Sequence, residues 1–206
     1  KFFNGSIDQV IATVRALKDD YKSQINFRPD IGINKDLPID KVYSYGLKCI
    51  ESGEFNGIDL YGKEADQDLT PFSKLYDMAK DHGIKTKVHI GEFSDHHTIE
   101  NAIKTLRPNE IQHGITAVNS KHTMDLILKH NIRLNTCPAS NLALGATPSI
   151  EAHPLRNLFD YGIKLTINTD DLILFNTTIT DEFIYLLEHH MFSFEELNEI
   201  RMNAFN

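Results

Sequence analysis

The sequence predicts an α/β protein whose strands form one all-parallel sheet with helices outside. Three observations carry that prediction. Short apolar runs alternate with helical stretches, and neighbouring runs start roughly 20 to 35 residues apart, about the length of one βα unit. No hairpin turn joins consecutive runs, so each strand returns through a crossover. Each run also ends in polar, chemically capable residues, an arrangement that suits strand ends gathered on one face. Six such units fit either an open doubly wound sheet or part of a (β/α)8 barrel. The nucleotide-binding form of the open sheet carries a Gly-rich turn after an early strand, and this chain has none.

Taken in order, Ser6 and Gln9 form a capping-box pattern, after which Ile7, Val10, Ile11, Val14 and Leu17 recur at helical spacing. A first strand is expected over 24–33. Gly57-Ile58, Gly83-Ile84, Asn131-Ile132 and Gly162-Ile163 each place a helix stop directly before an apolar run. Gly and Asn accept the left-handed conformation that closes a helix. The strands expected after these joints cover 58–60, 84–90, 132–136 and 163–168, and a further one covers 110–115. Thr70-Pro71 and His153-Pro154 put Pro in a first helical turn, and Ser193 with Glu196 repeats the capping-box pattern. Phe72, Leu75, Tyr76 and Ala79 form a stripe expected to face the core.

Composition narrows the function classes. Of 206 residues, 41% are hydrophobic and 24% charged, proportions that exclude disordered, collagen-like and disulfide-scaffold chains. A single domain over 1–206 is expected. No apolar run approaches the roughly 18 residues a membrane span needs, so no membrane partner is expected. The net charge of −8 and the absence of a Lys/Arg block argue against a nucleic-acid partner. Cys49 and Cys137 are far apart in the chain, which suits a reducing compartment, and a cytoplasmic location is expected. Cys137 precedes Pro and reads as a packed thiol.

The strand ends hold Asp59-Leu60-Tyr61-Gly62, His89-Ile90-Gly91-Glu92, His113-Gly114, Cys137-Pro138-Ala139-Ser140-Asn141 and Thr169-Asp170-Asp171. A lone His at a strand end is usually an ordinary hydrogen-bonding residue, and Asp-Asp is common in turns. Two His, one Glu and two Asp at the ends of parallel strands favour a site. Neutral imidazole with carboxylate suits Zn²⁺, which lowers the pKa of bound water toward neutrality. Glu92 follows His89 by three residues, so in an extended strand end it is expected to project elsewhere and act on substrate. Shielded from water, such a carboxyl stays protonated and serves as a general acid. Ten histidines exceed the about five of average usage, but the pairs His96-His97 and His189-His190 read as solvated residues.

These motifs, together with His153-Pro154 and Asn168 ahead of Thr169, resemble the adenosine deaminase family of metal-dependent hydrolases, in order and over nearly the whole chain. The resemblance implies a (β/α)8 barrel that hydrolyses the 6-amino group of a purine nucleoside and releases ammonia. It implies His89 and Asp170 as ligands of one Zn²⁺. Glu92 would protonate the purine ring nitrogen beside the attacked carbon. His113 would orient the attacking hydroxide, Asp171 would bond the other purine ring, and the Gly62 backbone would help seat the base. Ile90, Leu172 and Glu110-Ile111-Gln112 stand where the family usually has Ala, Pro and Arg-Ile-Gly, which bears on substrate choice. Adenine or a modified adenosine is the alternative substrate, and a non-catalytic purine-binding relative the alternative class.

The family's first strand supplies a His-x-His pair of zinc ligands, and no His-x-His occurs here. The chain is therefore expected to hold strands 3–8 of an incomplete barrel, and alone to show weak or absent deaminase activity. Open sheet edges would favour self-association.

Overall fold

A computed structural model describes residues 6–65 and 67–205. Six strands, β1 (Asp30–Asn34), β2 (Gly57–Tyr61), β3 (Lys85–Ile90), β4 (Glu110–His113), β5 (Arg133–Thr136) and β6 (Leu165–Ile167), make one sheet. Their spatial order is their chain order, and every neighbouring pair is parallel. A doubly wound sheet reverses its order at a switch point, where helices change face. No reversal occurs among the described residues, so the sheet is an incomplete (β/α)8 barrel, with β1 and β6 each paired on one side only.

Ten α-helices are described, α1 (Ile7–Tyr21), α2 (Ile39–Ser52), α3 (Ser73–Asp81), α4 (His96–Leu106), α5 (Lys121–Lys129), α6 (Pro138–Ala143), α7 (Leu155–Asp160), α8 (Leu172–Phe175), α9 (Ile179–Glu188) and α10 (Phe194–Met202). None is long and apolar enough to cross a membrane. Strand side chains alternate between faces. Ile33, Ile58, Leu60, Val88, Ile90, Ile111, Leu134, Leu165 and Ile167 supply the buried apolar face. They share one core with Leu75, Tyr76, Ala79, Ile99, Ile103 and Ile127 from the helices. Asp59, Lys87, His89, Gln112 and Asn135, which fall on the alternate positions, line an open cavity on the other face. This polar face is where the chain can do chemistry.

The helix stripe Phe72, Leu75, Tyr76 and Ala79 is buried as expected. The Ser193–Glu196 capping box forms reciprocally, and the Ser6 hydroxyl accepts from Gln9 N–H at 3.3 Å. Gly83, Asn131 and Gly162 are left-handed, at φ of 71°, 50° and 90°. Gly57 is not; it lies inside β2, and the residue that closes α2 is Gly53, at φ 70°. Gly57 serves a different purpose, because a Cβ there would collide with the Asp30 carboxylate that pairs with Lys87. The first strand is also shorter than 24–33, starting only after Pro29, which has no N–H to give a ladder. Thr70-Pro71 opens a 3₁₀ turn rather than an α-helix, and Pro154 sits immediately before α7. β4 stops at His113, since His113 and Gly114 are both left-handed, at φ of 63° and 67°.

Candidate active site

All six residues expected at the site stand at the same end of the sheet. His89, His113, Asp170 and Asp171 line one cavity of about 520 Å³. Gly62, His89, Glu92, Asp170 and Asp171 line a second, of about 540 Å³, and the two share His89, Asp170 and Asp171. His113 and Asp170 both take left-handed backbone, at φ of 63° and 56°. Such conformations are uncommon outside glycine and tend to mark functional positions. Chain reversal at the strand ends turns these side chains toward the cavities.

His89 is the penultimate residue of β3. Its Nδ1 lies 3.0 Å from Asp59 Oδ1, and Gln112 Nε2 donates to the other oxygen of Asp59 at 2.7 Å. Asp59, expected only as a polar strand end, thus orients the imidazole and leaves Nε2 for the cavity. Burial disfavours charge on His89, yet the hydrogen bond and charge of Asp59 hold its pKa above the ordinary histidine value. Lys35, itself buried, donates from Nζ to the His89 carbonyl at 3.1 Å. Asp170 is held from the other side by the Ser140 hydroxyl, which donates to Oδ2 at 2.7 Å. A histidine anchored through Nδ1 by a carboxylate and an anchored Asp lining the same cavity are donors of the kind that zinc takes. Ligand atoms of His113, Cys137 and Asp170 also lie within 4.8 Å of one another. Cys137 is buried, and desolvation followed by the charge of Asp170 drives its thiol pKa up, which keeps the sulfur protonated, as suits a packed thiol.

Glu92 does not sit on an extended strand end, as its spacing from His89 suggested. β3 ends at Ile90, and Gly91, at φ 74°, turns the chain. A Cβ on Gly91 would come within 2.4 Å of Ile99 Cδ1, so only glycine fits the turn. Glu92 lines the second cavity together with His89 and lies beside His113, with His113 Nε2 at 3.5 Å from its Oε2. Both side chains are buried. Asn141 joins them, donating from Nδ2 to Glu92 Oε1 at 2.7 Å and facing His113 Nδ1 at 3.2 Å. Its Oδ1 faces His153 Nε2 at 3.2 Å, while His153 Nδ1 accepts from Leu155 N–H.

Burial pushes Glu92 up to about 7, opposed by the hydrogen bond from Asn141 and assisted by the nearby charge of Glu64. Burial and then the charge of His89 push His113 down to about 4. His153 is likewise lowered to about 4, by burial and then by His113. Near pH 7 a carboxyl that still carries its proton in about half the molecules therefore lies against a neutral imidazole, which suits a proton donor beside a polar orienting group.

Asn141 and Ser140 belong to the Cys-Pro-Ala-Ser-Asn motif, whose individual roles the sequence does not disclose. Glu64 was not foreseen at all, although it lies two residues beyond Gly62. Gly62 itself is at φ 115° on the rim of the second cavity, with Asn34 and Asp36 side chains close behind it. His189 lies on the surface with Nδ1 3.0 Å from Glu151 Oε1. His96 and His97 open α4, and both lean on Glu100 at 3.4 and 3.7 Å. Neither pair reaches the site.

The family described as adenosine deaminase matches residues 46–206. An adenosine deaminase of Plasmodium gallinaceum is 37% identical over 160 residues, covering 76% of this chain and 44% of that protein. An adenine deaminase of Sinorhizobium medicae is 31% identical over 148 residues, covering 72% of this chain and 46% of that one. Among solved structures, adenine deaminase from Arthrobacter aurescens superposes with a TM-score of 0.82 at 24% identity, over 96% of this chain and 60% of that one. A Burkholderia ambifaria amidohydrolase with bound Zn gives 0.77 at 23% identity, over 94% of this chain and 54% of that one. The chain thus spans about half the length of the curated relatives it matches. With the family match and the strand-end residues in agreement, this chain belongs to the adenosine deaminase family.

Proposed function

We propose that the protein carrying this chain hydrolytically deaminates a 6-aminopurine, adenosine or a close relative, to the 6-oxo product and ammonia. The observation that supports this most directly is the pairing of buried Glu92 with buried His113 beside cavities that His89, Asp170 and Asp171 share. Glu92, protonated near neutrality, gives its proton to the ring nitrogen next to the attacked carbon. That proton makes the carbon electrophilic, and water adds there. His113, neutral, orients the attacking water and stabilises charge as it adds. One proton of the added water passes to the amino group and the other restores Glu92, so that the carbon–nitrogen bond breaks and ammonia leaves. Asp171 and the backbone at Gly62 hold the base.

His89 and Asp170 would hold zinc, which when bound supplies the Lewis acidity that makes water nucleophilic near neutral pH. The zinc found in the Burkholderia relative supports this choice. Catalytic zinc centres usually keep three protein ligands, so the 206 residues alone are expected to show little turnover.

The relatives act on both adenosine and adenine by their names, so the substrate needs a panel. Ammonia release from adenosine, adenine and an N6-methylated adenosine should be measured with the full-length protein, before and after chelation and zinc restoration. Chelator-sensitive release from one of them is expected. Purine binding without ammonia release from any would replace the enzyme reading with a binding one.

A further inference from the structure

The Gly91–Ser94 turn, which carries Glu92, is held by one carboxylate. Glu64 Oε2 accepts from Gly91 N–H at 3.0 Å, Glu92 N–H at 3.2 Å, Phe93 N–H at 3.2 Å and Ser94 N–H at 3.0 Å. It also accepts from the Ser94 hydroxyl at 2.7 Å, and Oε1 lies 3.3 Å from Glu92 N. Four consecutive N–H groups can converge in this way because Gly91 takes a left-handed φ of 74°. Such a concavity of backbone donors is an anion nest. Here the anion is part of the chain, reaching across from the segment after β2.

We propose that Glu64 is the positioning residue of the general acid: it fixes the Gly91–Ser94 turn and so aims Glu92 into the cavity. The proposal rests on the reading of Glu92 as proton donor. None of the four amides lies within a strand, so without Glu64 the turn loses the partner that defines its shape. Ser94 passes the restraint on to α4, its hydroxyl lying 2.6 Å from Thr98 Oγ1. Burial alone would raise the Glu64 pKa, but its hydrogen bonds with Ser94, Glu92 and Phe93 hold it below the ordinary glutamate value. It therefore stays an anion beside a carboxyl that holds its proton to higher pH. Glutamine is a poor substitute, since its oxygen is uncharged and a weaker acceptor for the nest, and its NH₂ would face the Glu92 N–H that Oε1 now meets at 3.3 Å.

The test is Glu64→Gln in the full-length protein, read by amide hydrogen exchange and by steady-state kinetics. Exchange at Gly91–Ser94 should speed up at least tenfold, while the β5 amides of Arg133–Thr136 keep their wild-type rates. kcat should fall about tenfold to a hundredfold, the cost of a small misplacement of a catalytic group. KM should change less than threefold, because the loss falls on the proton-transfer step. Unchanged exchange in the turn, or a KM rise that accounts for the whole loss, would overturn the proposal. Ser94→Ala, which leaves all four backbone bonds to Glu64 in place and removes the hydroxyl contacts to Glu64, Gly91 N–H and Thr98, should shift both readouts in the same direction and to a smaller extent. If the wild-type protein deaminates no purine, the functional reading fails, and the exchange measurement still decides whether Glu64 sets the turn.

Discussion

Charged groups occupy both ends of the polar sheet face, and they are treated in opposite ways. At the end where the strands begin, Lys87 lies 2.6 Å from Asp30 and 3.3 Å from Glu110, and Arg133 lies 2.9 Å from Glu110. Asn135 adds a hydrogen bond to Glu110 at 2.9 Å. Burial works against both charges, but their partners win: Lys87 is held above its ordinary pKa and Glu110 below. At the other end, burial wins at Glu92 and His113, although partners still win at His89 and Glu64. Glu92 rises to about 7 and His113 falls to about 4, so each group rests near its uncharged form. One network stabilises charge and has nothing to donate. The other keeps a proton available at the pH where it is needed. Ion pairing of buried residues alone therefore does not mark a site in this sheet; incomplete compensation does.

The sharpest way to break this contrast is Glu92→Gln. In the full-length protein, kcat should fall by about 10²- to 10⁴-fold, with thermal stability preserved. The wild-type rate should also decline as pH rises through about 7, because the acid form of Glu92 is lost there. A flat rate profile between pH 6 and 9 would remove Glu92 from the acid role.

Glu110→Ala addresses the other end. Leaving Lys87 and Arg133 without this buried carboxylate should cost about 3 to 5 kcal/mol in chemical denaturation. The folded fraction should keep its kcat, and a hundredfold fall would erase the distinction between the ends.

Glu182 offers a subtler test at the active end. It is buried, one oxygen accepts from Ala139 N–H at 3.2 Å, and the other has no hydrogen-bond partner among the described residues. Burial pushes its pKa up to about 7. The folded state then binds a proton more tightly than the unfolded chain, so stability is full below the ordinary glutamate range and declines as pH rises toward 7. Glu182→Gln should stabilise the protein by about 1 to 3 kcal/mol at pH 8 and have little effect at pH 4.5, as read by urea unfolding at both values. Equal effects at both pH values would show that Glu182 ionises freely. The smallest effect concerns the edges. β1 and β6 each have one strand neighbour among the described residues, so the isolated chain should self-associate in sedimentation, and a clean monomer would count against that.

Much of this was legible in the chain. The parallel sheet followed from helix stops at Gly83, Asn131 and Gly162, whose left-handed backbone is a local matter of sterics. Gly57 misled, because the same residue type is also demanded by a close neighbour, here Asp30, that only the folded sheet supplies. The site residues were visible because parallel strands deliver their ends to one side. Asp59, Asn141 and Glu64 were harder to assign. Their partners lie 30, 49 and 27 to 30 residues away, and no spacing rule links an orienting side chain to the group it orients. Glu110 and Gln112, departures from the family pattern in sequence, acquire a local reason in the sheet through Lys87, Arg133 and Asp59.

The bond from Leu155 N–H to His153 Nδ1 has a consequence well beyond the start of α7. It leaves the proton of a neutral His153 on Nε2, so the facing atom of Asn141 must be its oxygen. That choice points the amide nitrogen at Glu92 and His113, and obliges His113 to accept at Nδ1 and carry its own proton on Nε2. A single main-chain amide thus dictates tautomers two residues deep, and the polarity of the whole relay is decided before any ligand arrives.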